Sequence, residues 1–320
     1  MSLPAGSWGY PSFRERLAGR FPGLAIRKLS LHAGFTCPNL DGTLSRGGCS
    51  YCNNRGFVPA AASSRADLRR QWDAGRARLR QRYGKTDGFI AYFQAYSNTY
   101  APPERLREIY DPVPLAYPEC LGASLGTRPD CLQDGVLDEL ERLARRTFLT
   151  VEIGLQSDRD EVLHALRRGH SRAQFLDAVD RAAGRGFEMC VHLILGLPGE
   201  GPDAPERMGD LMAALPVQSV KLHNLHIMKG TAMAEPFRRG LLRPPSRREY
   251  LSAAARFIRR LRPDQFLQRV VADAPEGVLL SDPWCHGKQD FLADLRRELA
   301  APEGVPAARE AHVGIPVLWT

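Results

Sequence analysis

No stretch of the 320 residues approaches the roughly 18 consecutive apolar positions that span a bilayer, which argues against a helical membrane protein. The first residues, MSLPAGSWGYPSF, lack a basic segment leading into an apolar one. No export signal is therefore expected, and the cytoplasm is the default location. Cysteine is scarce and odd in number, seven in all, so a fully paired disulfide framework is not expected. Internal repeats and low-complexity tracts are missing, and lysine nearly so, since almost all of the 44 basic residues are arginine. What is present is ordinary for a globular protein: 43% apolar and 25% charged residues.

The balance of 44 basic against 36 acidic residues leaves a net charge of +8. The excess is concentrated. Arg238 to Arg269 holds ten arginines against Glu249 and Asp264, and Arg65 to Lys85 holds eight basic residues against Asp67 and Asp73. Either stretch fits a polyanion footprint. Biased base composition also produces chains rich in arginine and alanine, so charge alone does not choose between the two readings.

Short runs rich in β-branched or aromatic residues recur at 26–32, 88–96, 120–126, 149–156, 189–196 and 219–227. Helical patterns separate them: Leu68, Trp72 and Leu79 fall on one face, as do Val136, Leu140 and Leu143. Ser171 and Gln174 stand at capping-box spacing before another helix, which ends at Gly184 or Gly186. Strands alternating with helices mean βαβ units and a parallel sheet. Six units predict a partial (β/α)6 barrel of the TIM type, an α/β fold whose chemistry sits at the C-terminal ends of the strands. Pro244–Pro245 marks a boundary. The expected organisation is an N-terminal segment (1–25), a core (26–243) and a small α/β extension (244–320) with a helix at 246–261 and a strand at 266–272.

Directly after the first strand comes TCPNLDGTLSRGGCSYCNN, which places Cys37, Cys49 and Cys52 in one loop, the last two as a CxxC around Tyr51. Thiolate-only ligation selects zinc or an iron–sulfur cluster. Zinc would need a fourth ligand, for which His32 or a remote cysteine is available. A cubane held by three thiolates would keep one iron open to a small molecule. Spacing leaves cluster, zinc and unliganded thiols all standing. Cys120, Cys131, Cys190 and Cys285 are scattered and read as buried packing residues.

The motifs GFTCPN, GGCSYCNN, AYFQAYSNTYAP, GTRPDCL, VEIGLQS, RRGH, HLILGLPGE and KLHNLHIMKGT occur in that order, each at a strand–helix junction. As an ordered set they resemble the radical S-adenosylmethionine (SAM) superfamily, in detail its YhcC/YtqA-type branch, a relative of the elongator catalytic subunit. The resemblance runs from about Tyr10 to beyond Lys288. It implies a [4Fe–4S] cluster on Cys37, Cys49 and Cys52, with SAM chelated at the fourth iron and cleaved by one electron to methionine and a 5′-deoxyadenosyl radical. An electron donor such as flavodoxin or ferredoxin is implied with it.

The resemblance also implies cofactor contacts at Tyr51, Gln94, Tyr96, Gln156, Arg168 and His192. Gln94 to Thr99 ends the second strand, where the superfamily holds the SAM amino end. Gln156 would meet the ribose and Arg168 the carboxylate, with Arg167 as the alternative. Two positions depart from the wider pattern. His192 stands where many members have Asp, and Gly126 where elongator-like sequences tend to have Glu. The glycines of GLPGE (196–200) would let backbone approach a ligand such as adenine, and His223 is a candidate for the substrate cavity. Cys285 could serve as a second thiol. The expected function is radical SAM modification of RNA, at the wobble-uridine side chain of tRNA. The alternatives are a protein or small-metabolite substrate, and a cluster- or zinc-containing RNA-binding protein without catalysis.

Overall fold

The computed structural model describes residues 9–53, 68–274 and 277–301. Arg65 and Asp67 of the first basic stretch, and Asn54 of the cysteine motif, lie outside the described residues.

Seven strands form one sheet, β1 (Ile26–Leu31), β2 (Gly88–Phe93), β3 (Cys120–Thr127), β4 (Phe148–Gln156), β5 (Glu188–Leu195), β6 (Ser219–Asn224) and β7 (Phe266–Arg269). All pairs are parallel, and each strand pairs with its neighbour in sequence. The helices are α1 (Phe13–Arg20), α2 (Leu68–Tyr83), α3 (Pro103–Tyr110), α4 (Pro112–Ala116), α5 (Asp134–Ala144) and α6 (Asp160–Ala165). They continue with α7 (Arg172–Ala182), α8 (Ala204–Ala214), α9 (Ala234–Arg238), α10 (Arg247–Arg259) and α11 (Lys288–Ala300). The expected partial barrel is there, and the strand of the extension pairs with β6 as its seventh member.

Local chemistry accounts for the elements. Every residue of β2 is buried, as are all of β4 after Phe148, which is what near-continuous apolar strands between two covered faces require. Capping boxes start α1 (Ser12 and Glu15), α7 (Ser171 and Gln174) and α10 (Ser246 and Glu249). The run expected to stay extended to residue 227 leaves the sheet after Asn224. From there the chain pairs with a later segment: Lys229 donates to Val278 O at 2.8 Å and Leu280 to Ile227 O at 2.7 Å.

The main core lies between the sheet and its helices, where fully buried Leu29, Phe89, Phe93, Phe175 and Phe257 each contribute roughly 2–3 kcal/mol of transfer free energy. A smaller apolar cluster, including Val162, Ile194, Leu225 and Met233, sits under the cysteine loop with Tyr51 packed on it. The two ends of the sheet are bridged inside the half-barrel by Lys28 Nζ of β1, which donates to Gln268 Oε1 of β7 at 2.5 Å. The N-terminal segment lies along β7: Leu267 N–H donates to Pro11 O at 2.9 Å, Phe13 stacks on Phe266 at 5.9 Å, and Lys28 Nζ stands 4.5 Å from the Phe13 ring.

Candidate functional site

The cysteine loop leaves β1 at His32, whose backbone N–H and C=O are both bonded to the Gln71 side chain of α2, at 2.8 and 3.0 Å. The loop then binds itself. Leu40 N–H reaches Cys37 O at 2.8 Å, Gly48 N–H reaches Asn39 O at 2.8 Å and Cys52 N–H reaches Cys49 O at 2.9 Å. Gly48 has φ +79°, and a Cβ there would stand 2.9 Å from Leu40 Cδ2, so the turn into the CxxC takes glycine. Cys37 and Cys49 are buried and Cys52 is half-buried. All three line one cavity at the C-terminal ends of the strands.

The same cavity is lined by Tyr51, Gln94, Tyr96, Gln156, Arg168 and His192, so these six expected cofactor contacts share one place with the three thiols. The rest of the second strand-end motif does something else. Ser97, Asn98 and Thr99 are buried in a hydrogen-bonded scaffold, with Asn98 Nδ2 donating to Phe93 O at 3.0 Å and Gly126 O at 2.9 Å. Among the described residues the only non-glycine positions with positive φ are Tyr96 (68°), Gln156 (79°) and Arg167 (53°). Each costs on the order of 1–3 kcal/mol, and such residues persist where surrounding structure fixes them, typically at ligand sites. Gln156 is turned by a bulge that shifts the β4–β5 register between Gly154 and Gln156. Gly154 is there for room, since a Cβ would lie 2.6 Å from both Arg168 Nη2 and Gln156 Nε2.

Of the two candidate arginines, Arg167 is exposed and Arg168 is buried in the cavity wall. Arg168 donates to Gly154 O at 2.8 Å and to Cys49 Sγ at 3.6 Å, and its buried Nε has no partner. Arg128 of the TRPD motif, not singled out from the sequence, lines the cavity too. Its Nε and Nη2 each sit 3.0 Å from Asp130, and its buried Nη1 is also unpartnered. Burial opposes ionisation of Cys49, but Arg168, Arg128 and an N–H from Asn39 at 3.4 Å outweigh it and hold the thiol below its ordinary pKa. At Cys37 burial wins over Arg128 and the thiol is pushed up.

Three thiols around a cavity, with guanidinium and amide N–H groups aimed at them, fit the electron-rich sulfur of a cluster and an anionic ligand group beside it. A single zinc ion fits less well. Among the described residues no three His, Cys, Asp or Glu side chains converge as ligands of one ion. His32, one of the candidates for a fourth ligand beside a remote cysteine, has its ring tilted against Tyr96 at 5.5 Å.

Beyond the thiols the cavity reaches Glu152, which sequence reasoning missed. Its fully buried carboxylate meets Lys28 Nζ at 2.6 Å, Lys221 Nζ at 2.7 Å and His192 Nε2 at 2.7 Å, and also accepts from Ser124 and Tyr92. Burial raises its pKa, but Lys221, Lys28 and His192 prevail and hold it far below the usual range. Burial and Lys221 push His192 down to about 4, so the ring is neutral. With Nε2–H donating to Glu152, its Nδ1 is left as an acceptor. His192, expected as a SAM contact, is thus anchored to Glu152. His223 donates from Nδ1 to Asn224 O at 2.6 Å, which leaves Nε2 as a second acceptor on the cavity wall. The signal was present: Lys28, Glu152 and Lys221 are charges in the middle of apolar strands, and each needs the others.

Two further expectations take other forms. A Cβ on Gly196 would lie 2.0 Å from Pro245 Cγ, so this glycine of GLPGE makes room for the proline pair. Cys285 is buried in the outer core, and burial pushes its thiol up, which makes it a packing residue.

The arginines of the second basic stretch are largely engaged within the chain. Arg256 pairs with Glu206 at 2.9 Å, Arg260 with Asp210 at 2.6 Å, Arg243 with Glu249 at 2.6 Å and Arg247 with Asp294. Arg259 donates to Glu298 O at 2.6 Å, and Arg262 to Ala213 O at 2.6 Å. Arg256, Arg259 and Arg260 thus face solvent in part but are tied to partners on α8 and at the end of α11.

Comparison with known proteins gives the same picture. The radical SAM superfamily model matches residues 45–212, and the radical SAM C-terminal domain model matches 217–301. The protein YtqA of Bacillus subtilis is 35% identical over 277 residues, 87% of this chain and 85% of its own length. A tRNA uridine(34) acetyltransferase of Methanocaldococcus infernus is 27% identical over 128 residues, 39% of this chain and 23% of that protein. The solved structure of the archaeal Elp3 from Methanocaldococcus infernus matches with TM-score 0.63 at 17% identity, covering 86% of this chain and 64% of that one, a likeness of fold.

Proposed function

The chain belongs to the radical SAM superfamily, in its YhcC/YtqA-type branch related to elongator, and from that premise we propose that it modifies the wobble-uridine side chain of tRNA. Bound together, a [4Fe–4S] cluster and SAM supply one chemistry: reductive cleavage of SAM to methionine and a 5′-deoxyadenosyl radical able to take hydrogen from an unactivated carbon.

Cys37, Cys49 and Cys52 would hold the cluster. Arg168 and Arg128 would turn their unpartnered N–H groups toward its sulfur or toward the SAM carboxylate, for which a planar guanidinium is well shaped. Gln94, Tyr96 and Gln156 would hold polar atoms of SAM, and Tyr51 would back the CxxC. His192 and His223, both neutral and both offering an acceptor nitrogen, would orient a substrate that brings N–H or O–H donors. A small one-electron donor such as flavodoxin or ferredoxin would reduce the site.

The observation that carries the chemistry is the meeting of three thiols and two incompletely bonded guanidiniums on one cavity wall. The tRNA reading draws on the net charge of +8 and on a relative whose name ties it to tRNA uridine 34. Its test is a comparison of modified nucleosides in tRNA from a deletion strain and its parent. Loss of one wobble-uridine derivative with accumulation of its precursor is expected. Identical nucleoside profiles would overturn the tRNA reading and leave a protein or metabolite as substrate.

A further inference from the structure

Arg269 closes the second basic stretch, yet it turns away from the arginines of α10 and into the barrel. β7 shifts register against β6, so that Val220 pairs with Leu267 and Lys221 with Arg269. Register partners on adjacent strands share a face of the sheet. Lys221 reaches Glu152 inside the barrel, and Arg269 is therefore inside as well. Gln268 also points inward, bonded to Lys28 and Ser219, because a bulge puts two successive side chains on one face.

Arg269 is half-buried, and its Nε donates to Leu222 O at 3.3 Å. Its Nη1 and Nη2 bond to none of the described residues, and no described carboxylate pairs with it. The other charges on the inner face are matched. Glu188, at the start of β5, meets Arg16 at 2.7 Å, and Glu152 holds both Lys28 and Lys221. Burial also pulls Lys221 down to about 7, so that ammonium gives up its proton readily, whereas a guanidinium does not. Glu152 is the one acid among the described residues that line the cavity, and it is already engaged. Arg269 is the charge left over.

Its place is beside the substrate end. β6 brings His223 and Asn224 to the cavity wall, with His226 just beyond, and Arg269 stands next to them on β7. After burial, the charge of Arg269 is what holds His223 well below its ordinary value and His226 down to about 4. The same charge acts on His192. A fixed cation thus accompanies the two acceptor nitrogens, His192 Nδ1 and His223 Nε2.

We propose that Arg269 binds an anionic oxygen group of the substrate, a phosphate or a carboxylate, carried near O–H or N–H groups that the two histidines accept. The proposal rests on the reading of this cavity as the substrate site and names the charge the substrate brings. Under the tRNA reading that group is the phosphate of the target nucleotide.

The test uses the full, cluster-loaded chain with saturating SAM, so that Arg128 and Arg168 are engaged. Uridine 5′-monophosphate, uridine and acetate are titrated by calorimetry without reductant. The wild type is expected to bind the monophosphate at least about tenfold more tightly than uridine, and Arg269→Gln to bind the two alike. Arg269→Lys keeps the charge but loses the bond to Leu222, and should retain most of the preference. A loss there as complete as in Arg269→Gln would make the residue structural and overturn the proposal. Iron content and the circular dichroism spectrum guard against misfolding, and Arg239→Gln, which removes an exposed arginine elsewhere, should match the wild type throughout. A preference that persists in Arg269→Gln, or a wild type that binds neither anion, overturns the proposal. Arg269-dependent binding of acetate without preference for the monophosphate keeps the anion site, makes its ligand a carboxylate and removes the nucleotide. The nucleoside comparison in the deletion strain tests the tRNA reading separately, so either can fail alone.

Discussion

The two ends of the cavity are built on opposite principles. Around Glu152 the recorded polar groups close on one another: two lysines, an imidazole, a phenol and a serine converge on one carboxylate. Around Cys49 they do not. Arg128 Nη1, Arg168 Nε and Asn39 Oδ1 are buried without partners, beside the positive φ of Gln156 and Arg167. An unmade bond in a buried site costs about 1–3 kcal/mol. The closed end can meet that cost by itself, whereas the open end needs a ligand. A saturated network stiffens the strands that carry the site, and an unsaturated one is the site.

Substitutions can break that contrast, beginning with the largest effect. Cys37→Ala, Cys49→Ala and Cys52→Ala should each bring iron content to background and abolish SAM cleavage, while Cys120→Ala and Cys190→Ala keep iron at the wild-type level. One cysteine-loop variant with full iron and activity would remove the thiol end from the argument.

At the closed end, Glu152→Ala leaves buried Lys221 and half-buried Lys28 without their carboxylate, which should cost about 3–5 kcal/mol in denaturant unfolding. Replacing all three together, Glu152→Leu with Lys28→Met and Lys221→Met, should recover most of that loss, because no charge is then stranded. A single-variant cost below about 1 kcal/mol would mean that water reaches the network and that the two ends do not differ as described.

Arg168→Ala addresses the open end more gently. SAM affinity should fall by about 1.5–3 kcal/mol, the range for a hydrogen bond to a charged group, with iron retained. Calorimetry that finds equal affinity in a cluster-loaded variant would sever Arg168 from the cofactor.

The smallest effect belongs to a carboxylate outside both ends. Arg243 and the Ser246 backbone N–H hold Glu249 down to about 2, from an ordinary glutamate value near 4.5. A depressed carboxylate stabilises the fold above its unfolded pKa, and that contribution disappears as pH falls toward the folded one. Glu249→Gln should therefore cost about 1 kcal/mol or less at pH 7, given its solvent exposure, and the difference should vanish between about pH 4.5 and 2. A cost that persists at pH 2 would place its origin in packing.

Much of this architecture is legible in the chain. Alternating apolar runs mark the strands because a sheet covered on both faces tolerates little else, and the strand-end motifs gather at one cavity because parallel strands bring all their C-terminal ends to one rim. Glu152 was harder. A lone charge in VEIGLQ resembles a polar outlier until Lys28, 124 residues away, and Lys221, 69 residues away, are seen to share it. The second arginine stretch misled for the same reason, since Arg256 and Arg260 find acids 50 residues distant. Local pattern reports which residues are charged, and only topology reports which charges cancel.

The seating of the N-terminal segment on β7 has a consequence for how the chain matures. Each strand pairs with the one made just before it, so the sheet can grow in the order of synthesis. Ser12 breaks that order, because its bridge is to Leu267, in the last-made strand of the sheet. Until β7 emerges, Pro11 and Ser12 have no strand to pair with, and once it does they take up backbone groups of an edge that would otherwise template association. A segment made before every strand of the sheet is among the last to find its place.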